Sequence, residues 1–242
     1  RRRRVFIMGY HKSTPLYKQA SQKKEVWKWI AENGIFASAF PVIWEGFDMN
    51  TFEIEGDLAD ITSDFNSGKK KMSPFENSWL MVSRKVHTAK LKPNYKGKHI
   101  NLGDVLIKDK DVPAEFFIKN EQVEKWQYLK WAKNLKKVNK STGIEYKYNE
   151  GGMVFPDPLN KPSRTIITGE GGPSPSRFKH VVQTKDWRLR RLTPLELERL
   201  NMFPDNHTEW ATDIKRAFFM GNALVVWIIK KIWETLDSKI NS

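Results

Sequence analysis

A chain of 242 residues and 28.3 kDa holds one large domain or two modest ones, and 39% apolar with 12% aromatic residues is enough to bury a core, which excludes a disordered chain. Lys and Arg number 42 against 28 Asp and Glu, a net charge of +14 with a pI near 9.7, so the expected partner is a polyanion, nucleic acid first. Cysteine is absent, which excludes disulfides, thiolate metal sites and a cysteine nucleophile within these residues, and no apolar run approaches the ~18 residues of a membrane span.

From the start of the chain, Arg1–Arg4 lead into Val5–Met8, a run apolar on both faces that predicts a buried strand. Alternate arginines on such a strand share a face, so Arg2 and Arg4 would together hold phosphates or a carbonyl oxygen in fixed geometry. Lys12–Tyr17, with Pro15, predicts a loop. Lys23–Glu32 sets Val26, Trp27 and Ile30 at helical spacing before Asn33-Gly34, a good stop. Residues 35–64 show no clear period. Ser67–Lys71 predicts a basic loop, and Trp79–Val82 with Val86–Leu91 predict two strands around Ser83-Arg84-Lys85.

Asn120–Val138 predicts a helix with Val123, Trp126 and Leu129 on one face. Its lysines, at 125, 130, 133, 136 and 137, suit a solvated face more readily than a DNA-tracking one. Ser141–Gly143 predicts a turn, Ile144–Tyr148 a half-buried strand, Gly151–Pro162 irregular backbone and Thr165–Thr168 a short strand. Gly169-Glu170-Gly171-Gly172 lacks the Gly-Lys-Ser/Thr of a phosphate loop. It is either an open loop or a backbone that approaches a ligand, and the nearby Arg164, Arg177 and Lys179 favour an anionic one. The five His show no metal-ligand spacing, so no metal is expected.

Thr193-Pro194-Leu195-Glu196 predicts a capping box with Pro at the first helical position, opening a helix that runs to about Met202. Val225, Ile229, Ile232, Leu236 and Ile240 recur at three- and four-residue steps and predict the apolar stripe of a C-terminal helix. That stripe and the N-terminal strand both call for a covering surface.

Four segments carry a resemblance. Arg190–Asp205 (Arg-Arg-Leu-Thr-Pro-Leu-Glu-Leu-Glu-Arg-Leu-Asn-Met-Phe-Pro-Asp) resembles the ninth motif of the DNA (cytosine-5)-methyltransferases, Arg-x-x-x-Pro-x-Glu-x-x-Arg-x-x-Gly-Phe-Pro. Arg190, Pro194, Glu196 and Arg199 take its frame positions, and Met202 stands where Gly is usual. Gly221–Val225 is similar to the tenth motif, Gly-Asn-Ser/Ala-Val. Arg1–Phe6 is similar to the eighth, Gln-x-Arg-x-Arg-x-Phe, without its Gln and with Arg2 and Arg4 as its arginines. Ser163-Arg164-Thr165-Ile166 and the following Gly171-Gly172 resemble the end of the family's variable target-recognition region, its Thr-Leu appearing as Thr165-Ile166.

The resemblance implies an α/β fold: the C-terminal portion of a Rossmann-like methyltransferase dependent on S-adenosyl-L-methionine, plus a mixed α+β target-recognition domain. Residues 1–15 would end the catalytic lobe, 16–204 would form the target-recognition lobe with the ninth-motif helix, and 205–242 would return to the catalytic lobe. Arg4 would touch the carbonyl oxygen of a flipped cytosine, and Arg2 a neighbouring phosphate or the catalytic loop. Asn222, Ala223 and Leu224 would line the S-adenosyl-L-methionine pocket. Arg164, Thr165, Ile166, Gly171, Gly172, Ser174, Ser176, Arg177 and Lys179 would contact double-stranded DNA.

The family's Pro-Cys nucleophile, Glu-Asn-Val glutamate and Phe-x-Gly-x-Gly cofactor loop have no counterpart here. The chain alone is therefore expected to be inactive. It would be part of a restriction–modification enzyme, either the second subunit of a split methyltransferase or the C-terminal part of a cleaved or truncated one. Its partner would be an N-terminal subunit or fragment carrying the thiol. The alternative is a catalytically inactive, stand-alone DNA-binding module. The expected location is cytoplasmic, of bacterial or phage type.

Overall fold

The computed structural model describes residues 4–21, 26–44, 48–66 and 74–241, so Arg2, the start of the Lys23–Glu32 helix and the Ser67–Lys71 loop lie outside the described residues. It divides into two compact units, Val5–Gly97 with Ile229–Ser242, and Lys98–Ile228 with Arg4.

In the first unit, α1 (Pro15–Ser21) and α2 (Val26–Lys28) precede a π-helical turn at Trp29–Asn33 that ends at Gly34, followed by α3 (Ile35–Ala39). Strands β1 (Val42–Ile43) and β2 (Met49–Glu53), helix α4 (Leu58–Asn66), and strands β3 (Ser78–Val82), β4 (Lys85–Ala89) and β5 (Lys92–Pro93) complete it. An antiparallel sheet of order β2-β4-β3 and the β1-β5 pair are its sheets. The two-residue turn between β3 and β4 puts Ser83 at φ 48° and Arg84 at φ 68°, the left-handed pair whose twist matches a hairpin. Arg84 offsets part of that strain by donating from Nε to the Ile54 carbonyl at 2.7 Å.

In the second unit, 3-10 turns at 102–105, 109–111 and 114–116 lead to α5 (Asn120–Lys130), the hairpin of β6 (Lys133–Val138) and β7 (Glu145–Glu150), the short pair β8 (Val182–Gln183) and β9 (Leu189–Arg190), and helices α6 (Pro194–Leu200) and α7 (Asp213–Asn222). Leu102, Val105, Ile166, Val182, Leu192, Leu197, Leu200, Ala217 and Met220 form its main core, and Ile118, Trp126 and Val181 a second cluster. A last helix, α8 (Val226–Ile240), begins in this unit and ends in the other. All strand pairings among the described residues are antiparallel, so the parallel sheet of a Rossmann-like lobe is not among them.

Four expectations are corrected. Val5–Met8 forms no strand. The segment is extended with Val5 76% and Ile7 75% exposed, while Phe6 meets Phe36 and Met8 packs on the cluster of Leu16, Ala20, Trp29 and Ile35, so one face of the run is partly buried rather than two fully. The 120–138 helix stops at Lys130. Beyond it Lys133–Val138 pairs in register with Glu145–Glu150, a long-range gain that lysine periodicity cannot show. Thr165–Thr168 is not a strand: it pairs with no other strand among the described residues, and the backbone of α7 lies against it at Gly221. Of the C-terminal stripe only Ile232 and Leu236 pack on the core, against the cluster of Leu16, Ala20, Trp29 and Ile35, whereas Ile229 and Ile240 are exposed.

Candidate functional site

The loop from Ser163 to His180 is held by charged side chains turned inward. Asp157, buried between two prolines, accepts from Arg164 Nε at 2.5 Å and Nη2 at 2.9 Å, and from the Val181 N–H at 2.9 Å. Burial opposes ionisation of that carboxyl, but the Arg164 hydrogen bonds, the nearby His180 and the Val181 N–H outweigh it and hold it below its ordinary range. Arg164 also donates to the carbonyls of Phe178 at 3.0 Å and Lys179 at 3.1 Å. His180 places Nε2 3.0 Å from Ser163 Oγ and Nδ1 2.9 Å from Glu170 Oε1, with all three residues buried.

The glycine-rich stretch is closed in the same way. Lys179 Nζ donates to the Gly172 carbonyl at 2.9 Å and the Ser174 carbonyl at 2.8 Å, and Arg191 Nη1 reaches the same Gly172 carbonyl at 2.9 Å. Arg177 donates to the carbonyls of Leu129 at 2.8 Å and Trp131 at 3.1 Å and pairs with Glu150. Three cations that the sequence offers to DNA thus give their donors to the protein's own backbone and carboxylates. Ile166 lies in the core, Thr165, Gly171, Gly172 and Ser176 are half-buried, and Ser174 is exposed. Asp157, Glu170, His180 and Ser163 are missed by the sequence reading. Their one signal is polar residues bounding a Pro- and Gly-rich segment.

Lys130 is the extreme case. Its ammonium is fully buried above the Trp126 ring and donates to the Lys179 carbonyl. Burial, and then the positive charge of Arg164, push its pKa from 10.5 down to about 8. The unfolded chain therefore holds a proton between those values that the folded chain has lost, and stability rises with pH across that window. Chemical unfolding at stepped pH should show a gain of roughly 3 kcal/mol between about pH 8 and 10.5 from this group, and Lys130→Met should remove that gain. A variant whose stability climbs as steeply as the parent's would refute it.

The Arg190–Asp205 segment is built around a buried ion pair. Arg190 Nη1 and Nη2 donate to Glu196 Oε2 at 2.9 Å and Oε1 at 2.8 Å, with both side chains fully buried. Glu196 also accepts from the Thr193 N–H at 2.8 Å, completing the capping box with Pro194 at the first turn, and from the Ile107 N–H at 3.0 Å. Arg199 clasps Asp205 through Nε at 2.8 Å and Nη2 at 2.5 Å.

Helix α6 then ends in a Schellman pattern: the Phe203 N–H reaches the Glu198 carbonyl at 3.0 Å and the Met202 N–H the Arg199 carbonyl at 2.9 Å. Met202 sits at φ 60°, the left-handed position that favours glycine. The residue departs from the motif while the backbone keeps the conformation that Gly serves. Met202 is 38% exposed, so replacing it with Gly loses little packing. Met202→Gly should stabilise the chain by up to about 1 kcal/mol in urea unfolding, and a loss of stability would argue against strain there.

Two glycines seat the site on α7. A Cβ on Gly221 would lie 2.5 Å from the Ile167 carbonyl carbon and the Thr168 nitrogen, and one on Gly171 would lie 2.9 Å from Ile214 Cα. The close approach foreseen for Gly171 is therefore to a helix of the same chain. Beyond Gly221, Asn222 ends α7 with its amide donating to the Phe218 carbonyl at 3.1 Å, Ala223 is half-buried and Leu224 exposed. This edge presents one side-chain amide, already donating within α7, and two apolar side chains. Arg4 is exposed. Among the described residues no group of three or more acidic or His side chains could hold a metal ion, and no helix is long and apolar enough to cross a membrane.

Residues 1–238 match the C-5 cytosine-specific DNA methylase family. The chain belongs to that family. The chain is 38% identical over 246 residues to the type II methyltransferase M.Sau3AI of Staphylococcus aureus, an alignment covering 100% of this chain and 56% of the relative, so it spans about half the length of the curated relative it matches. Among solved structures, that of the Entamoeba histolytica methyltransferase EhMeth is 16% identical, covering 93% of this chain and 60% of that one with a TM-score of 0.37, too distant for residue geometry to transfer.

Proposed function

We propose that this methylase chain supplies duplex recognition and one edge of the S-adenosyl-L-methionine pocket in a DNA (cytosine-5)-methyltransferase of restriction–modification type that acts on a flipped cytosine. The observation that carries this is the family match over residues 1–238. The type II description of the Staphylococcus aureus relative and the net charge of +14 support it. The chain contains no cysteine, so the thiol that adds to carbon six of the base comes from residues outside this sequence.

S-adenosyl-L-methionine supplies the methyl group when bound, and Asn222, Ala223 and Leu224 would hold one side of it. Arg4 would hold the cytosine carbonyl oxygen, and Arg2 a neighbouring phosphate or the catalytic loop. Arg164, Arg177 and Lys179 serve as positioning residues. Their inward hydrogen bonds shape the Gly171–Ser176 loop, whose exposed Ser174 meets the duplex together with Thr165, Gly172 and Ser176.

Methyl incorporation from labelled S-adenosyl-L-methionine into duplex DNA tests this, with the chain alone and mixed with a methyltransferase segment bearing the Pro-Cys nucleophile. Incorporation is expected only in the mixture. Arg4→Ala should abolish it while changing duplex affinity by less than about twofold, since one contact to a flipped base adds little to a phosphate-dominated affinity. Incorporation by the unmixed chain would overturn the proposal. Tight duplex binding that never leads to incorporation would favour the stand-alone DNA-binding module.

A further inference from the structure

The β6–β7 hairpin has two unlike faces. Its register pairs Lys133 with Glu150, Asn134 with Asn149, Leu135 with Tyr148, Lys136 with Lys147, Lys137 with Tyr146 and Val138 with Glu145. Alternation puts Lys133, Leu135, Lys137, Tyr146, Tyr148 and Glu150 on one face, and Asn134, Lys136, Val138, Glu145, Lys147 and Asn149 on the other.

The first face is anchored at its Lys133–Glu150 end, while Leu135, Lys137 and Tyr146 on it are exposed. Lys133 lies 4.8 Å above the Tyr128 ring and 3.6 Å from Glu150, Glu150 pairs with Arg177 at 3.3 Å, and Lys137 sits over the Tyr148 ring at 3.6 Å. The second face is exposed along its length, and neither Lys136 nor Lys147 makes an ion pair or hydrogen bond among the described residues. The two lysines stand directly opposite each other, a like-charge pair that weakens a sheet. Glu145, opposite Val138, is the one carboxylate on this face, and Lys140 in the turn adds a further cation.

We propose that this face is a DNA-contacting ribbon: the hairpin enters the major groove of a duplex, Lys136 and Lys147 meeting phosphates and Asn134 and Asn149 turned to base edges. The proposal rests on the DNA-methyltransferase reading above and names the element that makes contact. A polyanion between Lys136 and Lys147 converts their repulsion into attraction, and asparagine amides donate to and accept from base edges. Strands ~4.8 Å apart form a ribbon that the ~12 Å major groove of B-form DNA admits, whereas the deep, narrow major groove of duplex RNA does not.

The test is the affinity of the 242-residue chain for a short mixed-sequence DNA duplex, titrated over a range of salt. Lys136→Gln with Lys147→Gln should weaken binding on the order of tenfold and lower the slope of log affinity against log salt by about 2, one per phosphate contact. The same pair should raise the low-salt melting temperature slightly, which shows that the chain is folded. Lys119→Gln with Lys125→Gln, equal in charge but at the N-cap and on the first turns of α5, should leave most of the slope. An unchanged slope in the first pair, an equal fall in the second, or equal competition by duplex RNA would overturn the ribbon while leaving the methyltransferase reading intact. No duplex binding by the parent chain at any salt would overturn both.

Discussion

Glu196→Gln is expected to cost about 3–5 kcal/mol of unfolding free energy, the largest loss from any single side chain of the ninth motif. The substitution leaves the Arg190 guanidinium charged and fully buried without the carboxylate that accepts from both its terminal nitrogens, and a buried charge stripped of its partner is among the most costly features a fold can hold. Arg190 has little slack: its Nε already has no hydrogen-bond partner and lies 3.9 Å from Asp109. Arg190→Met combined with Glu196→Gln should recover most of the loss, because the charge leaves with its partner. The Gln oxygen can still accept one of the two N–H groups, Thr193 or Ile107, that the carboxylate serves. Urea unfolding of the two single variants and the double supplies the cycle. Additive losses would show that the pair is not a coupled unit.

Gly221→Ala is expected to cost about 3 kcal/mol or more, and to lower the melting temperature by several degrees. The added methyl would stand 2.5 Å from the Ile167 carbonyl carbon and the Thr168 nitrogen and 2.6 Å from the Ile167 oxygen. All three are backbone atoms, so no side-chain rotation relieves the overlap, and either α7 or the 165–168 segment must move. The same displacement shifts Asn222, Ala223 and Leu224, which follow directly in the chain. On the proposed placement of the pocket edge at these residues, S-adenosyl-L-methionine affinity should fall with stability, whereas Gly169→Ala, where an added Cβ meets only the tip of Ile167 at 3.8 Å, should change both little. Equal behaviour of the two variants would show that the close approach is not maintained in solution.

These effects fall on a motif whose local part is legible in the chain. Thr193, Pro194 and Glu196 announce a capped helix because a cap is made within one turn, and the structure has both hydrogen bonds of the box. Gly34 stops a helical run and Ser83-Arg84 turns a hairpin for the same reason, that the partners are near neighbours. The departure at Met202 reads differently once φ is known, since the left-handed conformation persists without the residue that favours it.

The misassigned secondary structure has a common cause, and the surroundings of three cations were hidden for the same reason. Lys133–Val138 is as plausible on a helix as on a strand until Glu145–Glu150 is set beside it. Val5–Met8 is apolar throughout, yet without a paired neighbour among the described residues it buries only Phe6 and Met8 in part. Arg164, Arg177 and Lys179 look like DNA contacts because a cation near a glycine loop usually faces outward. Their acceptors, the carbonyls of Phe178, Leu129 and Gly172 and the carboxylates of Asp157 and Glu150, become visible only when the chain is folded.

By itself, then, the amino-acid order determined the family, the strong positive charge, the lack of a thiol and the capped ninth-motif helix, each a matter of residue type or of spacing within a few positions. Tertiary structure alone decided which cations remain outward. Arg177 finds its acceptor at Leu129 from 48 positions away and Glu196 its donor at Ile107 from 89, while Lys136 and Lys147 are left facing each other on an open ribbon. The physical reason is that a guanidinium or ammonium takes whichever acceptors packing brings within about 3 Å, and nothing local to the side chain records what that packing will be.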